Sequence, residues 1–168
     1  MAPKPILSAL VLLAAPLPAQ SLAYRGLEPG IPLTDFSRAA NRLAAGDSLT
    51  CRTSAHTAAL MECGVTVADG GSQLTVDAFV IAGQVAMLSV TDSGGPELVD
   101  RWRRSLASSW GSGMETTRAM VQWVAGERVA RLTWRAAGER RWVSLTLSHD
   151  PTLARIEEFL PAGIRRNP

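Results

Sequence analysis

Few residues of this chain have side chains suited to catalysis. The sequence holds only two histidines, His56 and His149, and either could act as a general base for a nearby serine, with an aspartate to orient it. None of the motifs in which such groups usually act is present: there is no G-x-S-x-G turn, no H-E-x-x-H pair and no nucleotide-binding glycine pattern. The sequence therefore favours a protein without catalytic activity. A cell-envelope hydrolase that uses His56 or His149 is the alternative.

The two cysteines, Cys51 and Cys63, are the next candidates for chemistry. Their spacing is not that of a C-x-x-C redox pair, and together with His56 they offer too few ligands for a metal ion. The segments around them can fold back on each other as a hairpin centred near residue 57. In an exported chain an isolated cysteine pair is most simply a disulfide, so we expect a Cys51–Cys63 bond, no metal site and no cofactor.

Arginine and tryptophan are unevenly distributed along the chain. Residues 101–168 contain twelve arginines, six acidic residues and all five tryptophans, whereas residues 24–100 contain four arginines and nine acidic residues. The two halves are therefore oppositely charged, which could drive self-association. The only lysine, Lys4, lies in the predicted signal peptide, and the remaining chain is nearly neutral. This balance gives no support to nucleic acid as a partner.

A repeated tetrapeptide sets the register of three predicted strands. Ala-Gly-Glu-Arg occurs at 125–128 and again at 137–140, and each copy is typical of a two-residue hairpin turn. The two turns together predict one continuous apolar face. The predicted pairs on that face are Trp123–Ala130, Val121–Leu132, Ala119–Trp134, Trp134–Val143, Leu132–Leu145 and Ala130–Leu147.

The opposite face of this three-stranded segment is polar, and Arg135 falls directly across from Trp142, within reach of a cation–π contact. Such a face could be the solvated side of an antiparallel sheet. It could also bind an anionic or extended polar partner through arginine forks and the tryptophan plane. The candidate binding residues are Arg118, Arg131, Arg135 and Trp142.

The first 23 residues predict an export signal that is cleaved before Tyr24. Lys4 precedes an apolar run over residues 6–15, and Ser21-Leu22-Ala23 places small residues at the two positions that a signal peptidase reads. Prolines then break the run, which is too short to span a bilayer. We therefore expect the mature chain in the periplasm or outside the cell, without stable membrane insertion.

The remaining patterns predict an α+β fold with one antiparallel sheet of about seven strands packed by two main helices. Apolar spacing indicates a first helix over 34–45 and a second over 96–110, and each is followed by β-rich segments. Asp150-Pro151 is typical of the start of a short C-terminal helix. The expected order is α-β(4)-α-β(3) with that last helix at the end.

Residues 24–168 match the size of a single domain, and the alternation of helices and strands also allows two tandem units, 34–91 and 96–148. The stretch Gly30-Ile31-Pro32-Leu33-Thr34-Asp35-Phe36 and the hairpin with its cysteine pair resemble small exported modules with a helix on an antiparallel sheet. These modules are the β-lactamase-inhibitor-like repeats and the outer-membrane-assembly lipoproteins, although the lipobox cysteine of the lipoproteins is missing. They generally act by binding other proteins.

The resemblance therefore implies interaction rather than catalysis. Together with the polar arginine face, it predicts an exported binding module whose partner is another protein or an anionic component of the envelope. A self-associating structural protein is a further alternative.

Overall fold

The computed structural model describes residues 21–159, which form an α+β fold around one antiparallel sheet. The elements are α1 (Leu33–Leu43), β1 (Thr50–Thr53), β2 (Leu60–Asp69), β3 (Ser72–Ile81), β4 (Gln84–Gly94), α2 (Leu98–Trp110), β5 (Met114–Thr117), β6 (Met120–Ala125), β7 (Arg128–Ala137), β8 (Arg140–His149), α3 (Asp150–Ala154) and α4 (Ile156–Phe159). The predicted fold class and the single antiparallel sheet are confirmed. The sheet has eight strands, in the order β1-β2-β3-β4-β8-β7-β6-β5.

The strand beyond the predicted seven is β5, a four-residue edge strand whose residues are all exposed. It pairs with β6, and its register shifts between Glu115 and Thr117. An exposed, irregular edge strand has no alternation of apolar and polar residues, which is the pattern that identifies the other strands. The order is therefore α-β(4)-α-β(4), followed by the two short helices α3 and α4 in place of one.

Each half of the sheet is a four-stranded meander preceded by a helix, and the halves join through their last strands. Leu88 of β4 lies opposite Leu147 of β8, and Val90 lies opposite Leu145. Because both meanders end at the centre, β1 and β5 form the two edges. The strands at these edges are short, which limits unwanted pairing with other chains.

Helices α1 and α2 cover one face of the sheet and form the main core with it. The α1 helix buries Phe36 and two alanines, and α2 buries a residue at every fourth position, as its spacing predicts. The helices begin and end slightly away from the predicted limits, since α1 ends at Leu43 and α2 begins at Leu98. Glu97 occupies the N-cap of α2, so Pro96 precedes the helix and does not lie in its first turn.

The register derived from the repeated tetrapeptide is confirmed. Gly126 and Gly138 have φ angles of 59° and 57°, which suit the first central position of each turn. Strands β6, β7 and β8 pair as expected, for example Leu132 with both Val121 and Leu145. Ala119 lies one residue before β6, but its carbonyl still accepts a hydrogen bond of 3.2 Å from the Trp134 amide.

Residues 21–32 form an N-terminal strap that packs on the core ahead of α1. Leu22, Tyr24 and Leu27 are all buried within the main cluster. The Tyr24 ring stacks on Trp102 of α2 at 5.5 Å, and its hydroxyl donates to the Asp69 carboxylate. Burial, together with Asp69, raises the pKa of Tyr24 well above its ordinary value. The strap therefore ties α2 to the end of β2.

The predicted Cys51–Cys63 disulfide is present, and it joins residues directly opposite each other on β1 and β2. Closing a loop of this length stabilises a fold by about 2–3 kcal/mol in the chain-entropy model. A disulfide fits the expectation of an exported protein. Of the predicted signal peptide, residues 1–20 lie outside the described part of the chain. Within residues 21–159, no helix is long and apolar enough to cross a membrane.

Candidate binding face

The sheet face opposite α1 and α2, called here the open face, is polar at its centre. Alternate residues of every strand point to it, and along the midline between β4 and β8 most of these are hydroxyl side chains, with Met87 at one end and Trp142 at the other. The Ser89 and Ser144 hydroxyls lie 3.2 Å apart across that midline, and Thr133 donates to the Ser144 carbonyl at 3.3 Å. The centre of the face is therefore a stripe of small hydroxyl side chains that separates its two halves.

One end of the open face is covered by α3 and α4. A register shift after Phe79 places Ile81 and Ala86 against these helices, where Leu60 joins them in a second, smaller core. Three partly buried side chains cover this core: Leu153, Ile156 and Phe159. The rest of the face is uncovered by any other described element.

The basic half of the face is built around Trp142 on β8. Arg135, opposite it on β7, places its guanidinium 5.0 Å from the centre of the indole ring, which confirms the predicted contact. Arg140 lies against the same ring at 5.6 Å. Arg140 was not among the candidate residues, although it has the same strand parity as Trp142. Arg140 was left out because it is the last residue of the tetrapeptide that predicts the turn at Gly138.

The other two candidate residues flank this cluster. Arg131 lies on the open face of β7, where its Nε donates to the Gln122 side-chain oxygen at 2.9 Å. Arg118 is exposed in the turn between β5 and β6, at the end of the sheet that also carries Arg135. The structure therefore brings Arg131, Arg135 and Trp142 onto one face, with Arg118 at its border.

A shallow depression of about 320 Å³ lies beside Trp142. Its lining on the open face consists of Arg135 and Trp142 together with three hydroxyl residues, Thr91, Thr133 and Ser144. Guanidinium groups bind carboxylates through paired, charge-assisted hydrogen bonds, and neighbouring hydroxyls can donate further bonds. The basic half is therefore chemically suited to carboxylate-bearing partners.

The other half of the open face carries a groove of about 510 Å³ that the sequence reasoning did not identify. Phe79 and Met87 form part of its apolar lining, and Glu62 and Asp77 supply two carboxylates. Within residues 21–159, neither carboxylate forms an ion pair. Burial first, and then the nearby Glu62, raises the pKa of Asp77.

The half of the open face that carries Glu62 and Asp77 is called here the acidic half. The turn at Gly70-Gly71 would have been enough to predict from the sequence that these two carboxylates lie on one face. The turn pairs Asp69 with Ser72, which in turn sets Gly64 opposite Asp77 and Glu62 opposite Phe79. Both carboxylates then share a face. The faces of β3 and β4 are similarly apolar in sequence, however, so the sequence did not distinguish the open side from the core side.

The two histidines lie at separate places. His56 is exposed in the connection between β1 and β2. His149 ends β8, where its Nδ1 is 2.7 Å from the Thr152 hydroxyl and its Nε2 is 3.4 Å from a Glu127 oxygen. Thr152, His149 and Glu127 thus follow one another in the order nucleophile, base and acid. Thr152 is only 3% exposed, however, so a substrate could not reach its hydroxyl.

Among the residues described, no three His, Cys, Asp or Glu side chains are grouped so that they could hold a metal ion.

Comparisons with known proteins give no relative for this chain. No protein-family model, no curated protein and no solved structure matches it. The arrangement of the open face is thus the basis for any functional assignment.

Proposed function

We propose that this protein is a non-enzymatic, exported binding module that holds an acidic segment of another envelope protein on the basic half of its open face. The observation that carries the proposal is the Trp142 cluster, in which two guanidinium groups lie against one indole ring next to a hydroxyl-lined depression. Binding, rather than catalysis, is what such a group of side chains can do.

The arginines of this surface are held in place before any partner arrives. Contact with Trp142 restricts Arg135 and Arg140, and the Gln122 oxygen restricts Arg131. A long side chain that is already restrained loses less conformational entropy on binding. Arginine and tryptophan are both enriched among the residues that dominate the energy of protein interfaces.

The chemistry favours an acidic protein segment over a polysaccharide. Sugar rings bind to tryptophan by stacking on its flat face, but here two cations already lie against the Trp142 ring. The ring therefore serves to position guanidinium groups, whose planar fork fits the carboxylates of aspartate and glutamate. Arg131 adds a third cation on the same strand as Arg135.

Capture from a cell-envelope extract tests this proposal. Wild-type protein on a resin should retain a partner, and the combined substitutions Arg131→Glu, Arg135→Glu and Trp142→Ala should reduce the retained partner at least tenfold. Charge reversal places like charges against the acidic segment, which opposes binding. Elution by added salt should also release the partner, because exposed charge pairs are screened.

A matched variant separates this surface from general charge effects. Arg38→Glu with Arg42→Glu makes the same change of charge on α1, on the other side of the sheet, and both side chains are exposed. This control should retain as much partner as the wild type. Equal loss of capture in both variants, or unchanged capture by the Trp142 variant, would rule out the basic half as the binding surface.

A further inference from the structure

We infer that this protein also binds a small zwitterion of the α-amino-acid class, in a cavity between the N-terminal strap, α2 and the sheet. The cavity lies on the helical side of the sheet, away from the open face, so this inference is independent of the proposed capture of an envelope protein. It rests on a buried carboxylate with one unused oxygen, on the guanidinium group beside it and on the size of the space they line.

The floor of the cavity is formed by Asp92, whose charge interrupts the apolar core side of β4. Leu88 and Val90 precede it on the same side of the strand, and both are fully buried. The Asp92 side chain is itself only 5% exposed. Withdrawing a carboxylate from water costs free energy that pairing does not always repay. Such departures from the apolar pattern of a core are expected at functional sites.

One oxygen of this carboxylate is free to bind a ligand. The Trp102 indole donates to Asp92 Oδ2 at 2.9 Å, and the Arg101 guanidinium donates to the same oxygen at 3.3 Å. No residue of the described part of the chain donates to Oδ1, yet no fully buried side-chain oxygen within residues 21–159 is without a partner. The Oδ1 atom is therefore accessible from the cavity, where it can accept a charge-assisted hydrogen bond from an ammonium group.

Arg101 supplies the matching cation next to this carboxylate. Its side chain is 53% exposed, and the contact with Asp92 engages one of its nitrogens. The other N–H groups of the guanidinium fork can bind the carboxylate of a ligand. An α-amino acid carries its ammonium and carboxylate groups on the same carbon atom, so it requires an anion and a cation side by side. Asp92 and Arg101 provide that pair.

The opposite wall of the cavity is a second ion pair. Arg25 of the strap pairs with Asp69 at the end of β2, and the Tyr24 hydroxyl donates to the other oxygen of Asp69. The Arg25 side chain is 52% exposed at the mouth of the cavity. The four charged groups that line the cavity sum to zero. A zwitterion keeps this balance, whereas a simple anion would meet the free oxygen of Asp92 and a simple cation would meet two guanidinium groups.

The size of the cavity restricts the ligand further. Its volume is about 170 Å³, and the short side chains of Ser72 and Ser105 form part of its lining. At roughly 30 Å³ for each water molecule, this space equals about five or six waters, which suits an amino acid with a small or polar side chain. The Trp102 ring is stacked on Tyr24 and only 6% exposed, so it offers no free face to a sugar.

Thermal unfolding in the presence of each standard L-amino acid tests the inference on the full-length mature protein. At least one with a small or polar side chain should raise the melting temperature, and the rise should increase with its concentration. A ligand that binds only the folded chain stabilises it in this way. Calorimetry with that amino acid then measures its dissociation constant. No rise with any of the amino acids would overturn the inference.

Both charges of the ligand should be required for binding. The hydroxy acid with the same carbon skeleton lacks the ammonium group, and the amide of the amino acid lacks the carboxylate. Each analogue should bind at least tenfold more weakly, because it leaves a polar group of the cavity without its partner. Equal affinity for the amino acid and either analogue would contradict the inferred pairing.

Two variants connect each ligand charge to one residue. Asp92→Asn and Arg101→Gln should each weaken binding of the amino acid at least tenfold. Arg101→Gln should bind the amide as the wild type does, and Asp92→Asn should bind the hydroxy acid as the wild type does, because the group that each residue contacts is already absent. A chain that is merely distorted would lose affinity for all three ligands, and that result would overturn the inference.

Matched controls lie at exposed positions of the same helix. Asp100→Asn and Arg104→Gln make the same changes of charge outside the cavity, and both should bind the amino acid with wild-type affinity. Arg101→Gln is exposed, so it keeps the test decisive even where Asp92→Asn does not fold. It should also leave the capture of an envelope partner unchanged. Wild-type affinity in Arg101→Gln would overturn the inference without affecting the proposed function.

Discussion

At Asp77, strand pairing fixes a carboxylate that is partly withdrawn from water and close to Glu62. Both effects raise its pKa in the folded protein above that of the unfolded chain. The protonated form is therefore favoured by folding, and this contribution is fully present below the ordinary carboxyl pKa of about 3.9 and is lost as pH rises through the folded value. At neutral pH the charged side chain destabilises the fold.

Asp77→Asn should therefore raise the free energy of unfolding at pH 7, because the amide resembles the protonated acid. The gain should shrink at pH 3, where Asp77 itself is largely protonated in both states. Urea unfolding at the two pH values measures this difference, and Asp47→Asn in an exposed loop is the control. A variant that is less stable than the wild type at pH 7 would contradict the burial and repulsion assigned to Asp77.

Gly113 lies in the connection between α2 and β5, where the backbone passes too close to β6 for a side chain. A Cβ at this position would clash with Val121 Cγ1 and would lie 2.6 Å from Trp123 Cε2, and both neighbours are buried. Gly113→Ala should lower the free energy of unfolding by about 1–3 kcal/mol, the usual cost of an overpacked site. Ser112→Ala, an exposed neighbour, should leave it within about 0.5 kcal/mol. Equal urea midpoints for both variants would show that the contact can relax.

Residue positions were predictable where a local turn fixed the register. The turns at Gly126 and Gly138 placed Arg135 opposite Trp142, because a two-residue turn determines every later pair by counting. Arg140 and the carboxylates of the acidic half follow from the same counting. The two carboxylates were not predicted because only packing shows which side of β2, β3 and β4 faces the helices, whereas Arg140 was left out because it adjoins the turn.

At the scale of elements, the N-terminal strap contains the predicted cleavage site before Tyr24. Cleavage there would remove Leu22, which is 2% exposed in the main core, and Ser21, whose hydroxyl donates to Glu28. A mature chain that begins at Ser21 should therefore be more stable than one that begins at Tyr24 by about 1.5–3 kcal/mol, the value of burying one leucine.

Thermal unfolding of the two purified forms measures this difference, and sequencing the N-terminus of exported protein identifies the natural start. As a control, Leu22→Ala in the longer form should reproduce most of the loss. Equal thermal stability of the two forms would mean that the strap stays packed on the core without Leu22.

The helices were predicted well because their apolar residues recur at helical spacing. The buried stripe of α2, from Leu98 to Trp110, follows directly from that pattern. Strand β5 was missed because it has no buried residue, and its pairing with β6 is irregular. Such an edge strand forms because it pairs with its neighbour, here β6, and its own sequence has no pattern that predicts it.

At the scale of the molecule, the order of strands could not be read from the sequence. The pairing of β4 with β8 joins segments about fifty residues apart, and no turn connects them. Yet this pairing creates the midline of the open face and sets the acidic groove beside the basic cluster. The uneven charge of the two chain halves predicted two oppositely charged regions, and only the sheet places them side by side on one surface.

The central claim is that the open face, and not the helical side, is the surface through which this protein binds others. Photo-cross-linking in living cells tests it most directly, with a photoreactive residue in place of Thr133 on the open face and, separately, in place of Arg104 on exposed α2. We predict covalent adducts with another envelope protein from position 133, and none from position 104. Adducts from position 104 alone, or none from position 133, would contradict the claim.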